Sequence, residues 1–87
     1  MARLGGDIEA MARLQSQLKQ RSGEVTRLRS GMTSMIQNTW WEGPAANRFK
    51  SEWQGNYSSS LQKLEQLLEE LGMEVQRRKD ALIQVSN

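Results

Sequence analysis

Apolar residues recur along this chain at helical spacing, in two long runs separated by a single break. In the first run Leu4, Met11, Leu18, Val25 and Met32 fall every seven residues, and Leu14, Leu28 and Met35 sit three residues further on. Asp7 and Arg21 interrupt that second row. A 3-4 apolar repeat sustained this far keeps one narrow stripe on one side of a helix, which suits a helix lying along another helix. In the second run Ala46, Phe49, Trp53 and Tyr57 form a first stripe. Leu61, Leu64, Leu68, Leu71, Val75, Leu82 and Val85 form the rest, with Arg78 as the interruption. The steps from Phe49 to Trp53, Tyr57 and Leu61 are four residues each, and such steps turn a stripe relative to a 3-4 pattern as a stutter does.

The break between the runs is Gly43-Pro44, and Pro44 is the one proline of the chain. Gly-Pro ends helices, and proline is well placed at a first helical position, where its missing N–H costs nothing. On either side stand good helix formers, chiefly Leu, Met, Gln, Glu, Lys and Arg. The pattern predicts an all-α chain forming one unit over residues 1–87. Helix one is expected over about residues 7–39, with Asp7 as its N-cap or first-turn residue. A turn follows over about 40–43, and helix two over about 44–84. Helices of that length run roughly 50–60 Å, and a short turn must return the chain antiparallel.

A thin hairpin can hide one stripe per helix, but Ile36, Leu67 and Ile83 widen both stripes. The surplus predicts that two hairpins associate into a four-helix bundle. The residues expected in the core or the dimer interface are Leu14, Leu18, Val25, Leu28, Met32, Trp53, Tyr57, Leu61, Leu64, Leu68 and Leu71. Phe49 is expected beside Trp53 and Tyr57. Arg21 and Arg78, set in the stripes, are expected to seek acidic groups in a partner.

Composition narrows the function. Lys and Arg total 12 against 10 Asp and Glu, a net charge of +2, which leaves no electrostatic footprint for nucleic acid. No apolar run approaches the ~18 residues of a membrane span, and no basic polar face accompanies the apolar ones, which argues against stable membrane insertion. Cysteine and histidine are both absent. With them go thiolate chemistry, the commonest general base and the commonest metal ligand. The glutamates at 65, 69, 70 and 74 spread round a helix face with Lys63, paired locally as Glu74 with Arg78 at i,i+4. No metal-ligand spacing and no glycine-rich phosphate cradle occurs. The sequence thus predicts a non-enzymatic protein that needs no cofactor or metal. Its first residues, Met1-Ala2-Arg3-Leu4-Gly5-Gly6-Asp7, lack the apolar stretch of a Sec signal peptide.

The break carries a motif. Trp41-Glu42-Gly43 reads W-x-G, Ala45 follows at +4 from the tryptophan, and Phe49 at +8. A Trp-x-Gly joining two long helices in a chain of 87 residues resembles the WXG family of type VII secretion substrates, the early-secreted-antigen-like small proteins. The W-x-G-x-A-x-x-x-F extension is similar to the family's as well. Trp40 departs from its usual single tryptophan, and is expected either to pack on helix one or to form an aromatic patch with Trp41. The resemblance implies export by a non-Sec route as a folded dimer, the partner being a second copy or another WXG-type protein. It implies recognition of Trp41 and Gly43 by the FtsK/SpoIIIE-like ATPase of the system, and a role as substrate, co-substrate or targeting partner, in some cases for a larger effector. In the actinobacterial branch one subunit also carries Y-x-x-x-[DE] after helix two. Here Tyr57 is followed at +4 by Leu61, and Asp80 is preceded at −4 by Gln76. The chain therefore resembles the subunit that contributes the W-x-G half of a bipartite signal. The alternative reading is a cytoplasmic coiled-coil adaptor whose W-x-G is only a structural turn.

Overall fold

A computed structural model describes residues 5–86, excluding the side chain of Ser86; Leu4, the first residue of the heptad row, lies outside the described residues. The chain is an all-α antiparallel hairpin, 64 Å long and about 20 Å across. Helix α1 spans Ile8–Asn38. After the turn come α2, Pro44–Glu52, a π-helical turn over Trp53–Tyr57, and α3, Ser58–Ser86. These last three elements follow one another without a break and form the returning arm.

Local chemistry sets the ends. The Asp7 carboxylate accepts from the Ala10 N–H at 3.0 Å, satisfying one of the unpaired donors of the first turn of α1. At the other end Thr39 is extended, and its hydroxyl donates to the Met35 carbonyl at 2.7 Å. Pro44 opens α2, whose first ladder bond runs from the Asn47 N–H to the Gly43 carbonyl at 3.0 Å.

The π-helical turn is the structural form of the 4-4-4 step. The Ser58 N–H donates to the Trp53 carbonyl, five residues back, so the turn holds one residue more than an α-helix would. The residues facing α1 therefore run Ala46, Trp53, Ser58, Glu65, Gly72 and Lys79. Their spacing is seven everywhere except the five-residue step across the π turn.

The line of closest approach differs from the one the apolar pattern predicts. On α1 it follows Gln15, Ser22, Arg29 and Ile36 rather than the leucine and methionine rows. Among the described residues only Ala46 and Trp53 are apolar and buried, while Ser22 and Glu65 are buried and polar. Small residues contribute to this: a Cβ placed on Gly72 would lie 3.9 Å from the Leu18 Cβ, so the two arms come within ordinary contact distance there. Polar groups fill the rest of the line. Gln15 donates to Gln76 at 3.1 Å, and Lys79 donates to Gln15 at 3.1 Å. The Ser22 hydroxyl donates to the Glu65 carbonyl at 3.2 Å. Arg29 meets the Glu65 carboxylate through Nε at 2.8 Å and Nη2 at 3.4 Å. The Trp53 indole N–H donates to the Thr33 hydroxyl at 3.0 Å, and Thr33 donates to the Arg29 carbonyl at 2.9 Å. No buried side-chain polar atom among the described residues is left unpaired.

Candidate functional site

The W-x-G segment lies at the closed tip of the hairpin. Gly43 has φ +114° and ψ 175°, a conformation that side chains with a Cβ avoid, and no atom crowds the place a Cβ would take. Glycine is required there by its backbone freedom, not by a neighbour. It lets the chain leave Trp41-Glu42 and enter α2 at once. Lys50, one and a half turns into α2, donates to the Trp41 carbonyl at 3.2 Å and ties the turn back to the helix.

The tryptophans of the tip lie differently. Trp41 is 42 % exposed, and its ring stands 5.5 Å from that of Phe49, tilted by 51°. That tilted pairing is a favourable aromatic geometry, and it explains the +8 spacing: α2 carries Phe49 back beneath the tryptophan. Ala45 is exposed at the start of α2, while Ala46 beside it is fully buried. Trp40 is 85 % exposed and donates to the Glu42 carboxylate at 3.3 Å, so it neither packs on α1 nor stacks with Trp41. An aromatic surface thus projects at the tip, made of Trp40, Trp41 and Phe49.

The apolar rows form the second feature. The line of closest approach takes Gln15, Ser22, Arg29 and Ile36 on α1 and Ser58, Glu65, Gly72 and Lys79 on the returning arm. One residue earlier on each stand Leu14, Arg21, Leu28 and Met35, and Tyr57, Leu64, Leu71 and Arg78. A step of one residue turns about 100° round a helix. Because the two arms are antiparallel, the same step on each turns to the same side of the hairpin. These rows therefore share one face, and all of their members are exposed, Leu28 by 52 % and Met35 by 69 %. Between them lie the half-buried rows Met11, Leu18, Val25, Met32 and Leu61, Leu68, Val75, Leu82. Leu67, 49 % exposed, widens the face on the returning arm. The candidate core residues thus divide. Trp53 is buried, Leu18, Val25, Met32, Leu61 and Leu68 are half-buried, and Leu14, Leu28, Tyr57, Leu64 and Leu71 are exposed.

Electrostatics are local. The Arg29 guanidinium, hydrogen-bonded to Glu65, holds that carboxyl below its ordinary range against the opposing effect of burial, and the same bond raises Arg29. Glu74 is likewise lowered by Arg77 and Arg78, both at 2.7 Å. Arg21 pairs with Glu24 at 2.9 Å. Sequence reasoning passed over the polar line of Ser22, Arg29, Thr33 and Glu65. Its signal was present, since these residues or their immediate neighbours recur at seven-residue spacing beside the apolar rows, but polar residues are read by default as a solvated face. No group of acidic side chains that could hold a metal occurs among the described residues, and none of their helices is long and apolar enough to cross a membrane.

Comparison with curated proteins and with solved structures gave no match. A family model described as proteins of 100 residues with WXG matches residues 6–85. That match spans α1, the Trp41-Glu42-Gly43 tip and nearly all of the returning arm. A hairpin whose two arms meet at an exposed Trp-x-Gly turn, matched along that length, belongs to the WXG100 family, small helical proteins associated with type VII secretion.

Proposed function

We propose that this protein is exported by a type VII secretion system as half of a folded dimer. It acts there as a substrate, co-substrate or targeting partner of a larger effector. The observation that carries this reading is the tip: Trp41 stands partly exposed beside Phe49, on a turn whose shape depends on Gly43. A recognition element needs an exposed, rigid side chain that is not also holding the core, and Trp41 fits that description while Trp53 does not. The receptor is the FtsK/SpoIIIE-like ATPase of the system, and the dimer partner is a WXG-type chain packed on the apolar face.

The test is secretion itself. The protein should appear in the culture medium of its host and disappear from it when the ATPase is inactivated. Trp41→Arg should retain full helicity when purified yet stay in the cell. Retention of wild-type protein in the cytoplasm, or wild-type export of folded Trp41→Arg, would leave a cytoplasmic adaptor with a structural turn as the better reading.

A further inference from the structure

Resting on the reading of the tip as the element the export ATPase recognises, we infer that this receptor presents an acidic segment with a neighbouring aliphatic side chain. Lys50 and Trp40 read that segment, on the side of the tip turned away from the apolar rows. The argument starts from Trp40. At 85 % exposed it is the most exposed aromatic ring of the chain, and it adds nothing to the packing of the hairpin. It is nevertheless held in place, because its indole N–H donates to the Glu42 carboxylate at 3.3 Å. A ring that is fixed and uncovered loses little freedom when a partner covers it, which is what makes tryptophan an effective interface anchor.

Two adjoining hollows lie beside it. One, of about 320 Å³, is walled by Trp40 and Trp41. The other, of about 230 Å³, is walled by Ile36, Trp53 and Gln54. Gln37 and Lys50 line both, so the two form one notch with Lys50 at its centre. Lys50 is half-buried, and its ammonium spends one of three donors on the Trp41 carbonyl at 3.2 Å. No carboxylate among the described residues pairs with it. The acids nearest in sequence are engaged elsewhere, Glu42 by the Trp40 indole and Glu52 by the Asn56 amide. A partly desolvated ammonium with donors to spare is complementary to a carboxylate. The hollow lined by Ile36 and Trp53 suits an aliphatic side chain next to that carboxylate. The exposed amides of Gln37 and Gln54 make no hydrogen bond among the described residues, and stand ready for the backbone of such a segment.

Placement separates this notch from the apolar face. The exposed apolar rows precede the line of closest approach by one residue, as Met35 precedes Ile36. Gln37 and Gln54 instead follow Ile36 and Trp53 by one residue. Steps of about 100° in opposite senses turn to opposite sides of the hairpin. Lys50, three residues before Trp53, turns about 60° toward the Gln54 side. A WXG-type chain packed on the apolar rows therefore leaves the notch open. One hairpin can hold its partner on one side and meet the receptor on the other.

The test combines binding of the purified full chain to the purified ATPase of its host, followed by fluorescence anisotropy, with secretion in that host. Trp40→Ala and Lys50→Gln should each raise Kd about tenfold or more and lower secretion. Lys50→Arg should stay close to wild type. Lys50→Glu should bind more weakly than Lys50→Gln, because it sets like charges together. Added salt should weaken the wild type more steeply than Lys50→Gln. Circular dichroism should show all four variants to be as helical as the wild type, and sedimentation should show their assembly unchanged. Wild-type binding by Trp40→Ala overturns the inference and leaves Trp41 as the signal. Lys50→Glu binding as tightly as Lys50→Gln overturns the acidic occupant. Loss of the dimer in Trp40→Ala would assign the ring to the subunit contact and overturn its role here. A wild-type chain that neither binds the ATPase nor reaches the medium defeats the proposed function, and this inference with it.

Discussion

Trp41 and Trp53 are the same residue type twelve positions apart, and the chain uses them in opposite ways. Trp53 is 5 % exposed, lies against α1 and donates its indole N–H to Thr33. Trp41 covers the tip, with Phe49 as its aromatic neighbour. Truncating a buried tryptophan leaves a cavity and takes away the N–H that the Thr33 hydroxyl accepts, although that hydroxyl keeps its bond to the Arg29 carbonyl, so Trp53→Ala should cost about 3–5 kcal/mol. Trp41→Arg removes one edge contact and should cost about 1 kcal/mol. Urea denaturation of both variants checks the contrast; equal losses would mean that Trp41 belongs to the core. The W-x-G tip was legible because glycine before proline and a nearby tryptophan are strong local signals. The pairing of Trp53 with Thr33 was not, since it depends on the register between the two arms, which the spacing within either arm does not reveal.

At the scale of elements, the returning arm is continuous only because the π turn absorbs a residue. The four-residue steps from Phe49 to Leu61 announced a change of phase, but spacing alone does not say whether the helix unwinds gradually or widens at one turn. Gly55 sits in the π turn with nothing near the place of its missing side chain. Deleting it should convert the turn to α-helix, leave Ala46, Trp53, Glu65 and Gly72 on the same line, and remove a glycine whose cost within a helix is about 1 kcal/mol. The melting temperature should stay level or rise; loss of helicity would show that the bulge itself is required. The polar line between the arms carries a different signature. Glu65 has its carboxyl lowered by Arg29 against the opposing effect of burial, with a smaller contribution from a Thr26 hydrogen bond. A group lowered on folding adds stability above its ordinary value of 4.5 and loses it as pH falls through the folded value. Denaturation midpoints followed from neutral to acid pH should therefore fall for the wild type. Glu65→Gln should start lower at neutral pH and converge with the wild type in acid, with the slope that remains assigned to Glu74, also lowered. Parallel curves would remove the ion pair from the energetics.

The whole molecule places small and polar groups between its own arms and turns most of its leucines and methionines to one side, while Met73, one residue after Gly72, is exposed on the other. Antiparallel all-α architecture followed from the repeat and the break. The repeat marks where apolar residues lie, however, and does not reveal which neighbour covers them. Gly72, Ser22 and the Arg29–Glu65 pair draw the arms together along a line beside the apolar rows, and so leave those rows open. Fully burying a leucine-sized side chain contributes roughly 1.5–3 kcal/mol, so half-exposed residues such as Leu14, Leu28, Leu64, Leu67 and Leu71 gain only part of that contribution within the single hairpin. An isolated hairpin with two buried apolar side chains among its described residues should be marginal. The most direct measurement is the thermal unfolding of the purified chain, followed by circular dichroism, over a hundredfold range of concentration. If the apolar core forms between hairpins, mass action requires the midpoint to rise steadily with concentration. A sharp transition at one temperature across the whole range would contradict the account, because it would mean that each hairpin holds its core within itself.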